Sequence, residues 1–241
     1  MIRTQDILSK SGYAAFIILI ILLSFRLFST IFYPLVNSDE GVIVLMLHYF
    51  QLPHDLYFWG QNRYGAIVPL LGQVPYQLFG LSSLVSEAIT HYLILIGGFF
   101  AFSAFIKSKI NRILFAAVWF LPPLYDTDLL RNVFGLQYSI TGMLFFLLYK
   151  YQPGYQFKSL SAKLPFYLLL LILTIVAFWV SDLAITSILA FLIVNIFYFL
   201  KDEKIIAFFR KSEIYFLVSG LVITYFIIIY LKSLVDVGSF D

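Results

Sequence analysis

A few acidic positions in this sequence are spaced so that they could do chemistry. Asp39 and Glu40 are adjacent in NSDEGVIVLMLHYF (37–50), between two apolar runs. A carboxylate held beside a membrane-facing cleft can serve as a general base. The same pair, with Ser38, suits the N-terminus of a helix over 40–51, where side-chain oxygens and negative charge meet free backbone N–H groups. A capped carboxylate with one oxygen left over does both jobs. Asp126 and Asp128 bracket Thr127 in YDTDLLRN (125–132), just after Pro122-Pro123. An Asp-x-Asp pair fits a divalent cation that holds a phosphate, and it equally caps a following helix. Arg131 can pair with either acid or meet a phosphate oxygen.

The stretch QLPHDLYFWGQNRYG (51–65) adds Trp59, Gln61, Asn62 and Tyr64, with Arg63 near its end. Aromatic faces with amide donors suit a sugar, and Trp and Tyr also collect at membrane interfaces. Asp182 follows Trp179-Val180-Ser181 and suits the cap of a helix starting at Leu183. Glu87 and His91 are four apart and share a helix face, as a proton or hydrogen-bond pair or as a satisfied buried one. His48 and His54 have no ligand spacing to another His, and the chain has no cysteine, so neither zinc nor thiolate chemistry is indicated. No phosphate loop, dinucleotide loop or nucleophile elbow is present.

The elements that must position these residues are membrane helices. The 241 residues are 61% hydrophobic and 12% charged, with mean hydropathy +0.93; soluble domains carry about 25% charged residues. Apolar runs of roughly 20 residues predict spans at 12–36, 84–106, 110–125, 130–149, two within 164–200 joined by a turn at Trp179–Asp182, and 213–231. Arg26 lies inside the first run. That run follows Arg3 and Lys10 like a signal peptide but meets no small-x-small site, so it reads as an uncleaved first helix. The expected fold is all-α: one polytopic bundle over 1–241 of about seven spans, with juxtamembrane helices in a first outer loop at 37–83.

The run at 64–80, YGAIVPLLGQVPYQLFG, decides the sidedness of everything after it. Pro69, Pro75, Gln73 and Gln77 favour an interfacial position. If it does not cross, the N-terminus, KSKINR (107–112), the 150–163 loop and the 201–211 segment share the cytoplasmic side. Twelve of the sixteen Lys and Arg then lie inside, as the positive-inside rule requires. Asp39, Glu40, Asp55, Asp126, Asp128 and Asp182 all lie outside, and Glu87 starts a helix near the same face. The scattered basic residues are topology signals, not a nucleic-acid surface.

The order of these features resembles the N-terminal half of GT-C type integral-membrane glycosyltransferases of the protein O-mannosyltransferase and aminoarabinose-transferase kind. A first helix leads to an Asp-Glu loop, an apolar juxtamembrane helix and WGQNRYGAIVPLLGQVPYQLFGLSS; a short Pro-terminated helix, an acidic loop and the hairpin FWVSDLAI follow. The resemblance covers roughly 10–200. It implies a sugar taken from a polyprenyl phosphate at the outer face of a bacterial inner membrane and passed to a glycan, lipid or protein acceptor. It places the catalytic acid at Asp39 or Glu40, a second acidic site at Asp126 or Asp128 with a divalent metal as the candidate cofactor, donor-phosphate contacts at Arg63 and Arg131, and sugar or acceptor contacts at Trp59, Gln61, Asn62 and Tyr64. Two departures stand out: Glu87 in LVSEAITHYL occupies a segment where many relatives carry Arg, and relatives usually continue through further helices, so the chain reads as a fragment or a minimal member. A non-catalytic membrane subunit and a small transporter are the alternatives; a transporter needs ionisable groups at mid-depth, for which only Arg26, Glu87 and His91 qualify.

The sidedness is testable by labelling single cysteines in intact cells with an impermeant maleimide. Asp39→Cys and Asp128→Cys should label; Ser108→Cys and Tyr155→Cys should not.

Overall fold

A computed structural model describes residues 10–33, 38–123, 130, 133–150, 160–186, 188–190, 193 and 212–235. Among them the chain is helical, with a single isolated β-bridge between Tyr57 and Gly65. Two helices are long and apolar enough to cross a membrane: α1 (Lys10–Phe28) and α4 (Ser83–Ser103). Shorter apolar helical stretches follow at Gly135–Tyr149, Leu164–Val180 and Val218–Ser233. The residues group into two compact units: Met1–Phe50 with Ala66–Gly142, and Gln51–Gly65 with Met143–Asp241.

In the first unit, α1 ends earlier than its apolar run. The Ser29 carbonyl accepts from the Phe32 and Tyr33 amides, closing a turn at 29–32. Arg26 therefore sits in the last helical turn, where a cation complements the helix dipole, and its guanidinium lies 4.5 Å from the centre of the Phe32 ring. α1 pairs with α4 in opposite directions. Ser24 Oγ meets Tyr92 OH at 2.9 Å, and Thr30 Oγ1 donates to Glu87 Oε2 at 2.5 Å.

Between these two helices lie two short ones. α2 (Ser38–His48) carries Asp39 and Glu40 in its first turn and buries Ile43, Met46 and Leu47. α3 (Ile67–Gln73) runs on through a widened turn, Val74–Leu78. Pro75 has no N–H to give the preceding turn, which accounts for the widening. The 12 residues from Ile67 to Leu78 rise roughly 18 Å at 1.5 Å each, against a hydrocarbon thickness of about 30 Å. This segment packs on α2 and α4. Gln73 Nε2 donates to the Leu47 carbonyl at 2.7 Å, and Tyr76 OH meets His48 Nδ1 at 2.9 Å. α3 approaches α2 closely at Gly72, where a Cβ would fall 2.5 Å from Leu47.

α5 (Lys109–Phe120) is capped by Ser108, whose Oγ accepts from the Asn111 amide. It stops at Phe120 rather than reaching 125, because Leu121 leaves helical geometry ahead of Pro122-Pro123. It packs on α1 and α4, with Phe99 stacked on Phe115 at 5.7 Å and Phe102 against Trp119 at 5.6 Å. α6 (Val133–Lys150) lies so close to α4 that Gly98 leaves no room for a Cβ against Ser139 Cα, and Gly142 none against the Phe102 ring. Lipid tails are as apolar as leucine, so helices in a bilayer associate through this close small-residue packing rather than through the hydrophobic effect.

The second unit is built on α7 (Leu160–Val180) and α8 (Ser212–Ser233), which pack together. Both leave apolar side chains outward: Leu164, Leu168, Leu169 and Ile172 on α7, and Val222, Tyr225, Phe226 and Ile229 on α8. α1 does the same with Ile18, Leu19, Leu22 and Leu23. Apolar faces of this extent are stable against lipid and a liability in water.

Two glycines give the packing a sharp test in detergent-solubilised protein. Gly98→Ala should lower the unfolding temperature, with an overpacking cost of about 1–3 kcal/mol. Gly220→Ala, whose new methyl meets only Leu171 at an ordinary 3.6 Å, should leave it unchanged or raise it.

Candidate functional site

The acid pair does lie at a helix start, but α2 begins at Ser38, so Ser38 and Asp39 are its first residues rather than the cap of a helix over 40–51, and the helix ends at His48. Asp39 is partly exposed in the first turn of α2, whereas Glu40 is fully buried. Of the two, only Asp39 has exposed surface. The second acidic site falls elsewhere: Asp126, Asp128 and Arg131 lie outside the described residues. Among the described residues no group of three His, Cys, Asp or Glu side chains is placed to hold a metal ion.

The loop 51–65 is organised by Asp55, which the sequence alone marks only as one more outer acid. Its carboxylate is almost fully buried. One oxygen accepts from the Gln51 amide at 2.6 Å; the other accepts from Trp59 Nε1 at 2.7 Å and meets His54 Nδ1 at 2.9 Å. With these donors engaged, Asp55 shapes the loop and is not a spare base. Trp59 is thereby oriented, with its indole N–H spent and its ring partly exposed. The Phe58 amide donates to the Tyr64 carbonyl at 2.8 Å, so the tip carrying Gln61, Asn62 and Arg63 is a closed turn. Gln61, Asn62 and Tyr64 are half-buried, and Arg63 is exposed.

This loop is seated on the end of α7. Trp179 Nε1 donates to the Leu56 carbonyl at 2.8 Å, and Gly65 lies flat on the Trp179 ring, where a Cβ would be 2.7 Å from ring carbons and from the Trp179 carbonyl. The WVSD turn and the WGQNRYG stretch are thus one assembly. Tyr57 is buried within it, and its hydroxyl has no partner among the described residues. Burial raises its pKa well above the ordinary phenol value, and the nearby Asp182 charge raises it further.

Asp182 does not cap the helix after the turn. Ser181 Oγ accepts the Leu183 amide at 3.2 Å, and the Asp182 carboxylate instead pairs with Lys232 Nζ at 3.2 Å from the end of α8. Ser181 reaches the orphan amide without bringing a second charge against the turn, which leaves Asp182 free to meet the lysine. This pairing places the 51–65 loop, the 181–183 turn and Lys232 at one end of the second unit.

Two further features belong to the first unit. An apolar groove of about 370 Å3 lies among α4, α5 and α6, lined by Leu95, Phe102, Phe115, Trp119, Pro122 and Tyr138. Glu87 and His91 are both buried, with His91 Nδ1 3.3 Å from Glu87 Oε1. The four-residue spacing announced that pair; the bond from Thr30, 57 residues away, had no signal in the sequence.

No family of proteins, curated protein or solved structure matches this chain.

Asp55→Asn keeps the shape of the side chain and removes its charge. Charged hydrogen bonds contribute about 1.5–3 kcal/mol each, so the Gln51 amide should exchange with deuterium faster and trypsin should cut more readily at Arg63. Glu40→Gln serves as the control and should change neither.

Proposed function

We propose that this chain is a membrane glycosyltransferase that moves a sugar from a polyprenyl phosphate to an acceptor hydroxyl at the extracytoplasmic face. The observation that carries the reading is the return of the 38–80 segment. α2 and the α3 extension are each too short to cross, and both pack back on α4. Asp39 then begins a juxtamembrane helix on the side from which α4 starts. Under this reading the chain crosses about seven times with its N-terminus in the cytoplasm, in a bacterial inner membrane.

The chemistry divides among named residues. Asp39, the partly exposed acid, takes the proton of the acceptor hydroxyl as its oxygen attacks the anomeric carbon. Glu40, buried beside it, holds the helix start in place. The bond from the anomeric carbon to the phosphate oxygen breaks, the configuration inverts, and polyprenyl phosphate leaves as an anion. An anionic leaving group needs positive charge more than a proton donor. Arg63, exposed on its closed turn and without a carboxylate partner among the described residues, supplies that charge with Arg131. Asp126 and Asp128 would hold a divalent cation if one takes part. Trp59, Gln61, Asn62 and Tyr64 offer a ring face and amides to the sugar or acceptor. The apolar groove beside α5 supports the reading by offering an isoprenoid chain an aromatic-lined place.

Transfer of isotope-labelled sugar from a polyprenyl phosphate in isolated membranes tests this. Asp39→Asn should slow transfer about 10²–10⁴-fold, the usual range for a lost general base, and Arg63→Ala should weaken donor use. Unchanged transfer in both Asp39→Asn and Glu40→Gln would remove the base assignment.

A further inference from the structure

The transfer reading makes no use of the buried polar cluster where α1 ends against α4. Ser29, Thr30, Glu87 and His91 are each at most 7% exposed. They surround, with Phe28, Ala88, Tyr92 and Leu130, a pocket with room for about one water molecule. Two lining atoms, Ser29 Oγ and His91 Nε2, are buried with no partner among the described residues.

The hydrogen bonds determine what the pocket presents. Thr30 gives its proton to Glu87 Oε2, which leaves the Thr30 oxygen lone pairs available. With the imidazole proton on Nδ1, facing Glu87 Oε1 at 3.3 Å, the other ring nitrogen is a bare lone pair. The Ser29 and Thr30 oxygens and this ring nitrogen then each offer a lone pair beside the Glu87 carboxyl, and among the described residues no Lys or Arg lines the pocket. A cation placed there would meet the buried carboxyl and the uncommitted lone pairs of Ser29, Thr30 and His91 together. One carboxylate suits a monovalent ion, since hard divalent cations collect several oxygen ligands and zinc requires more His or Cys than are present.

We infer that Ser29, Thr30, Glu87 and His91 form a binding site for a small monovalent cation of sodium size, which ties the end of α1 to the start of α4. The site is independent of sugar transfer, because none of its members takes part in that chemistry.

Thermal unfolding of the full chain in detergent at neutral pH tests it, in sodium, lithium, potassium and choline chloride at equal ionic strength. Sodium should raise the midpoint saturably by roughly 2–4 °C over choline, with potassium less effective. Ser29→Ala, a small change that preserves folding, should lose most of that increment, and Glu87→Gln should lose all of it. Identical midpoints of the natural chain in all four salts would mean that the pocket holds only water, which overturns the proposal. A full sodium increment retained in Ser29→Ala would overturn it as well, by moving the ion elsewhere. If Glu87→Gln does not fold, the Ser29→Ala comparison still decides.

Discussion

A helix rises 1.5 Å per residue and the hydrocarbon of a bilayer is about 30 Å thick. The segment from Ile67 to Leu78 is apolar enough to enter that layer but has only 12 helical residues, with Pro75 breaking their hydrogen-bond pattern. Its unsatisfied backbone groups cannot be left in lipid, where each costs several kcal/mol. Packing on α2 and α4, with Gln73 bonded to the Leu47 carbonyl, is how the segment is accommodated. In the proposed topology the segment does not cross, and the sides assigned to the later helices, and with them the proposed chemistry, depend on that.

Charge is handled in three ways along the chain. Asp55 is buried and consumed by the loop around it; Asp182 is exposed and paired across to α8; Glu87 is buried between two helices with a threonine and a histidine. A buried carboxylate saturated by donors rigidifies the backbone that supplies them, which makes Asp55 an architectural residue. Asp39 lies partly exposed in the first turn of a helix. The proposed reaction uses that position for its base.

The aromatic residues also divide by role. Trp179 and Trp59 are fixed by indole N–H bonds, to the Leu56 carbonyl and to Asp55. Phe99, Phe115 and Phe120 fill the contact between α4 and α5, while Phe102 and Trp119 line the groove beside it. In a protein with this much aromatic surface, composition cannot separate a binding face from a membrane belt. A ring that spends its polar atom on a distant backbone carbonyl is holding architecture.

The sequence alone settled what is additive along the chain. Transfer of apolar residues into lipid sums over local windows, so the helical class and the positions of the long helices were legible, as was the turn after Trp179. The short 64–80 run was legible as anomalous from its prolines and amides. Helix ends were not: α1 stops at Phe28 and α5 at Phe120 because of turn and proline geometry inside longer apolar runs. Partners distant in sequence were decided only in three dimensions: Trp179 with Leu56, 123 residues apart, Asp182 with Lys232, and Glu87 with Thr30. Each is a pairwise contact between elements, whose geometry arises when helices pack, and no property of either local stretch encodes it.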